Sequence, residues 1–96
     1  MQQSNRKTAR SKLEIYLDIL KVLLPTGPLK LTHIEDKVNL NPITLKEKLD
    51  FLTKQRLVEE QTITNESTVF AITLHGISVL KYFREYTQGI PVTEEV

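Results

Sequence analysis

Apolar residues recur along this chain at helical spacing in four segments and cluster at strand spacing in one. Leu13, Tyr16, Leu17, Leu20 and Leu24 share one face of a helix predicted over residues 11–24, because 3.6 residues per turn bring i, i+3, i+4 and i+7 to one side. Ile15, Ile19 and Val22 widen that face past half the circumference and leave a narrow polar stripe of Glu14, Asp18 and Lys21. A helix this apolar is covered from two sides, and in a small domain the second cover can come from a partner subunit. Ser11 and Glu14 have the spacing of a capping box at its start.

Pro25-Thr26-Gly27-Pro28 ends the helix, and residues 29–31 read as a very short strand. Thr32 with Glu35 repeats the capping-box spacing and predicts a short second helix with Ile34 and Val38 on its apolar edge. Asn39-Leu40-Asn41 interrupts it. Asn41 then serves as N-cap and Pro42 as first residue of a third helix reaching about residue 55, with Leu45, Leu49 and Leu52 on its core face. Residues 57–63 and 68–72 are rich in Val, Ile, Thr and Phe, and the polar run Thr64-Asn65-Glu66-Ser67 between them predicts a hairpin. Thr73 caps a fourth helix to about residue 88, stopped by Gly89 and Pro91. That helix carries two apolar stripes: Leu74, Ile77 and Leu80, then Val79, Tyr82, Phe83, Tyr86 and Ile90.

The predicted order is helix, short strand, helix, helix, strand, strand, helix. Two short helices across a three-residue turn make a helix-turn-helix, and the hairpin that follows makes a wing. The fold class expected is therefore mainly α with a small β-hairpin, a winged helix-turn-helix. It occupies residues 11–90, between a disordered basic arm (1–10) and an acidic tail (91–96).

Composition narrows the chemistry. Ninety-six residues with 40% hydrophobic and 26% charged positions suit one soluble domain and exclude a wholly disordered chain. The absence of Cys excludes disulfides, thiolate zinc sites and thiol nucleophiles. The three glycines form no phosphate loop, and no Ser-His-acid set has a recognisable local context. His33 lies beside Glu35 and Asp36, but neighbours along a helix do not share a face, and His75 needs no special role. These features predict no enzyme, no cofactor and no metal. The longest apolar stretch, residues 13–24, is too short to span a bilayer and is broken by charges, so no membrane association is expected.

The net charge of +1 decides little, but its placement is uneven. Residues 1–12 hold Arg6, Lys7, Arg10 and Lys12 and no acid, whereas residues 57–96 hold two bases against six acids. A polyanion would meet the arm and the middle of the chain. On a helical wheel, Ile43, Glu47, Asp50 and Lys54 lie opposite the core face of the third helix, Thr44 and Lys46 flank them, and Lys48 lies nearer the core edge. Thr44 and Lys46 suit base or phosphate contact, and Glu47 can accept from cytosine N4, although Glu47 and Asp50 also repel phosphate. Lys30, Thr32 and Asn41 stand where the two helices approach a DNA backbone. The wing is acidic, with Glu59, Glu60 and Glu66, and offers Asn65 at its turn.

The segments Ser11-Lys12-Leu13-Glu14-Ile15, Asn39-Leu40-Asn41, Leu49-Asp50-Phe51-Leu52, Leu57-Val58 and Ala71-Ile72-Thr73-Leu74-His75-Gly76, in this order, resemble the small archaeal winged helix-turn-helix transcription regulators. That group includes a ten-kilodalton archaeal chromatin protein that dimerises through a long C-terminal helix. The resemblance implies a cytoplasmic, nucleoid-associated regulator of transcription that binds double-stranded DNA as a homodimer, with the third helix in the major groove. Ile15, Ile19 and Val22 on the first helix and Val79, Tyr82, Phe83, Tyr86 and Ile90 on the fourth are the expected dimer surface. Two departures stand out. Arg56 occupies a position where the family usually has Gly and the backbone often turns left-handed, and Gly89 with Pro91 shortens the last helix. The residues alone leave a second reading open, a winged-helix protein-interaction module without DNA contact. A ligand- or metal-sensing regulator is a third, for which no sensor site is visible.

Overall fold

The computed structural model describes residues 10–84. In chain order the elements are α1 (Lys12–Thr26), β1 (Leu29–Lys30), α2 (Leu31–Val38), α3 (Pro42–Lys54), β2 (Val58–Thr64), β3 (Ser67–Ile72) and α4 (Leu74–Arg84). The short β1 pairs with β3, Leu29 opposite Phe70 and Lys30 opposite Val69, so the hairpin becomes a three-stranded antiparallel sheet in the order β1-β3-β2. The β2–β3 ladder runs from Val58 opposite Ile72 to Thr62 opposite Thr68, then slips so that Thr64 faces Ser67. The slip leaves Ile63 exposed near the wing tip.

The capping box at α1 forms as expected. Ser11 Oγ accepts the Glu14 N–H at 3.1 Å, and Glu14 Oε1 accepts the Ser11 N–H at 2.8 Å. The helix runs two residues beyond Leu24, carrying Pro25 in its last turn, and stops at Gly27, whose φ of 84° suits a residue without Cβ. Its buried stripe is Ile19, Leu20 and Leu23, whereas Leu13 is 47% exposed. Of the expected face, Leu20 is in the core and Tyr16, Leu17 and Leu24 are half-buried against it, while Leu13 falls outside and Ile19 and Leu23 take the centre. Ile19, expected at a dimer interface, is fully buried within the protomer and unavailable to a partner. The reason is tertiary: α1 packs against α2, α3, α4 and β3, so the protomer covers much of the surplus apolar face itself.

The capping box expected at Thr32 and Glu35 does not form. Lys30 is the N-cap of α2 and makes no side-chain cap bond, and Thr32 lies exposed inside the helix. Pairing with β3 holds the backbone extended through Lys30, and the helix starts at the next residue. α2 ends where Asn39 adopts a left-handed conformation, which Asn tolerates better than most residues. Two residues on, Asn41 Oδ1 accepts the Thr44 N–H at 2.9 Å and starts α3. The turn between the two helices is therefore written locally, by two asparagines either side of the half-buried Leu40.

α3 places Leu45, Leu49 and Leu52 in the core as predicted, each at most 1% exposed. Its end is a Schellman motif: the Leu57 N–H reaches the Leu52 carbonyl at 2.9 Å and the Arg56 N–H reaches the Thr53 carbonyl at 3.0 Å. Arg56 takes the left-handed position, with φ of 64°. The start of α4 fastens to this turn. Thr73 Oγ1 donates to the Arg56 carbonyl at 2.7 Å and accepts the Gly76 N–H at 2.9 Å, while the Thr73 N–H bonds the Leu57 carbonyl at 3.1 Å. Gly76 is what permits the approach, since a Cβ there would collide with the Leu57 carbonyl oxygen and stand 2.7 Å from Ile72 Cγ1.

Opposite stability changes are expected at the two ends of this junction. Gly76→Ala should destabilise by about 1–3 kcal/mol, the usual cost of overpacking, and lower the melting temperature by several degrees. Arg56→Gly should stabilise by up to about 1 kcal/mol, because relief of left-handed strain outweighs the added freedom of the unfolded chain. Thermal and urea denaturation of the two variants measure both.

Candidate nucleic-acid interface

The core trio of α3 fixes which of its residues face outward. Ile43 (74% exposed), Glu47, Asp50 and Lys54 are all exposed opposite that trio, as the wheel predicted. The flanks are unlike each other. On one side, Lys46 and Asp50 border a cavity of about 420 Å³ shared with Leu31, Leu49, Glu60, Thr68 and Phe70, so the helix and the sheet are separated by an open groove. On the other side, the Phe51 ring stacks on Tyr16 of α1 with centroids 4.7 Å apart, and Lys48 Nζ sits 5.6 Å from the Tyr16 ring centroid. Lys48 is half-buried on the α1 flank and does not stand on the outward ridge. Thr44 is half-buried too, whereas Lys46 is exposed.

The start of α3 offers less to an anion than a generic helix start. Pro42 has no N–H and the Thr44 N–H is taken by Asn41, which leaves the Ile43 N–H in the first three positions. Asn41 spends its side-chain oxygen on this cap. The start of α2 has no side-chain cap, and exposed Lys30 and Thr32 stand beside it. Lys12 is exposed in the first turn of α1, Lys54 at the end of α3, and Asn65 at the wing turn.

Arg10 departs from the expectation of a free arm. Its Nη1 donates to Asp18 Oδ2 at 2.7 Å and its Nη2 to the Val38 carbonyl at 3.0 Å. The guanidinium is committed within the protomer, tying the chain before α1 to the exposed end of α2. Arg6 and Lys7 lie outside the described residues.

Residues 9–90 match the winged helix-turn-helix family. The chain belongs to that family. No curated protein matches it in sequence. Among solved structures it is similar to BpsR of Bordetella bronchiseptica, whose DNA binding is regulated by 6-hydroxynicotinic acid, with a TM-score of 0.71 and 13% identity over 80% of this chain and 60% of that one. The transcriptional regulator BldR of Sulfolobus solfataricus gives a TM-score of 0.71 and 17% identity, covering 86% of this chain and 62% of BldR. A variant of Lactococcus lactis ZitR in complex with DNA gives 0.66 and 19%, covering 84% and 56%; ZitR is a zinc-responsive MarR family member. At these identities the likeness is one of fold, and the chain spans about three-fifths of the length of these relatives.

The wing of this winged helix-turn-helix is acidic on its exposed side. Glu59, Glu60 and Glu66 face solvent, and Gln61 Nε2 donates to Glu59 Oε2 at 2.7 Å. On α4, Leu80 is in the core, Val79 and Phe83 are half-buried, and Tyr82 is 55% exposed with its ring edge-on to Phe83 at 5.3 Å. On α1, Ile15 and Val22 are half-buried. Tyr86 and Ile90 lie outside the described residues. His33 and His75 are exposed, and among the described residues no three His, Cys, Asp or Glu side chains converge on a metal-sized site.

Sequence reasoning missed two contacts, the Tyr16–Phe51 stack and the Arg10 bridge. The i, i+4 ridge Ile43–Glu47–Phe51 was the available signal for the first, because it places an aromatic ring on the rim of α3. The second joins residues 28 apart in the chain and had no local signature. Arg10→Ala removes a part-buried ion pair and a carbonyl cap together, so stability should fall by about 1 kcal/mol. In a double-mutant cycle with Asp18→Asn by urea denaturation, the two losses should be less than additive.

Proposed function

We propose that the chain is a double-stranded DNA-binding transcription regulator that acts as a homodimer with α3 in the major groove, and that it is not an enzyme. The observation that carries this is the presentation of α3. Its core trio is sealed, its N-terminal half projects Ile43, Lys46 and Glu47 outward, and the sheet stands off across an open groove. Lys30 and Thr32 beside the uncapped start of α2, with Lys12 and Lys54, are the phosphate contacts of this reading, and Arg6 and Lys7 extend it along an arm that ends before Arg10. A nucleoid-associated location follows from the same reading. No helix among the described residues is long and apolar enough to cross a membrane.

The homodimer rests on the second stripe of α4. Val79, Tyr82 and Phe83 continue in sequence to Tyr86 and Ile90, and Val22 of α1 adds to it. Sedimentation equilibrium at micromolar concentration should give twice the monomer mass. Tyr82→Asp should give the monomer with unchanged helical circular dichroism; a wild-type monomer would end the dimer reading.

A specific observation favours the protein-interaction module as second reading. The outward ridge of α3 runs Ile43, Glu47, Phe51, and the facing wing carries Glu60, so much of this surface is apolar or acidic. Fluorescence anisotropy with random-sequence duplex at two salt concentrations separates the two. DNA binding should weaken with salt at a slope of about 0.9 per phosphate contact, and deleting residues 1–9 should flatten the slope by that amount for each of Arg6 and Lys7 that makes one. Lys46→Ala should lower affinity by roughly 1–3 kcal/mol where it contacts a base, with the fold intact. Absence of salt-sensitive binding at low ionic strength would select the interaction module.

A further inference from the structure

Ile43 stands in the first turn of α3, on its outward ridge, and 74% of its surface is exposed. Among the described residues it belongs neither to the core nor to the side chains packed against it. Its side chain is barely buried, and a β-branched residue is a poorer helix former than Leu, Glu or Lys. It crowns the half of the helix that reaches base edges when a helix-turn-helix docks. Glu47 follows at i+4 on the same ridge and is exposed as well.

The floor of the major groove is almost entirely polar. It displays the N7 and O6 acceptors of guanine, the N7 and amino group of adenine, the amino group of cytosine, and O4 of thymine. Over any of these, Ile43 would strip water from a polar group and return no hydrogen bond, which is unfavourable. The single apolar group displayed there is the C5-methyl of thymine. An exposed isoleucine at this place is therefore stabilised over thymine and penalised over the other bases. Glu47 is an acceptor-only side chain, and its complement in the groove is the N4 amino group of cytosine. From Ile43 to Glu47 the helix rises about 6 Å, or roughly two base-pair steps.

We propose that Ile43 is a specificity-determining residue that reads a thymine methyl, and that with Glu47 it selects a thymine and a cytosine one to two base pairs apart. The assignment rests on the DNA-binding reading above and makes it specific. It also explains how an outward ridge without a base at its centre discriminates sequence: apolar contact and amine acceptance do the reading, and the lysines around it hold the backbone.

The probe is a randomised duplex library, from which the full-length chain selects binding sites. In a selected duplex, each thymine is replaced in turn by uracil, which removes only the methyl group. The wild type should lose about fourfold in affinity at one thymine position of the half-site, the factor expected for losing burial of one methyl-sized group. Ile43→Ala should bind the thymine and uracil duplexes alike, because the methyl has lost its partner. This variant keeps the core trio and introduces the strongest helix former, and its melting temperature checks the fold. Selection by Glu47→Ala should relax the cytosine while retaining the thymine. Salt-sensitive DNA binding in which uracil has no effect, or an equal effect on wild type and Ile43→Ala, overturns the assignment and leaves the DNA-binding reading standing. Failure of every duplex to bind in a salt-sensitive way overturns both.

Discussion

Burial of α1 is the constraint on which the rest of the protomer depends. A chain of 96 residues buries a modest share of its surface, and one helix serves as common packing partner for α2, α3, α4 and β3. Ile19, Leu20 and Leu23 do this, with Ile34 and Val38 of α2, the leucine trio of α3, Val58 of β2 and Leu80 of α4 gathered on them. The same arrangement aims α3: with one face sealed against the core and one flank held by the Tyr16–Phe51 stack, its roll about its own axis has little freedom. The direction in which Ile43 and Glu47 point is thus a consequence of how α1 is buried.

The junction after α3 shows how local strain is tolerated. A left-handed residue is required to turn the chain from α3 into the wing, and Arg56 adopts it at a cost that glycine would avoid. Around that residue the backbone groups are satisfied. The Schellman bonds close the end of α3, and Thr73 bridges the Arg56 carbonyl to the start of α4. Gly76 allows α4 to lie directly on the Leu57 carbonyl. Helix, wing and last helix therefore meet at one hydrogen-bonded knot, and the strained residue is held by its neighbours from both sides.

Charge on the described surface is mixed in sign and not a continuous basic patch. Lys46 and Lys54 are exposed on the same helix as Ile43, Glu47 and Asp50, Lys12 and Lys30 are exposed at the starts of α1 and α2, and the wing is acidic. Arg10 is withdrawn from this set by Asp18 and the Val38 carbonyl, and Lys48 by Tyr16. On the DNA-binding reading proposed above, such a surface would use a limited number of phosphate contacts and leave discrimination to the centre of the helix.

Order and type of the elements were legible in the sequence because their causes are local. The Ser11–Glu14 box, the Asn39–Asn41 turn, Pro42 at the first position of α3, the Leu45–Leu49–Leu52 spacing and the Thr73 cap each act within a few residues, and each is present as predicted. The outward set on α3 was legible for the same reason, since a helix with one buried stripe leaves its opposite face exposed. What the sequence could not decide depended on partners distant in the chain. Thr32 lost its cap because β3 holds Lys30 extended; Ile19 became core because four elements close around α1. Arg10 is held by Asp18 and by the Val38 carbonyl 28 residues away, a contact without local signature, whereas the place of Lys48 near the core edge was already set by helical spacing and only its neighbour Tyr16 was not. Periodicity states that a residue has an apolar or polar side to face; only the packed structure states which neighbour faces it, because that depends on contacts between segments that sequence spacing does not encode.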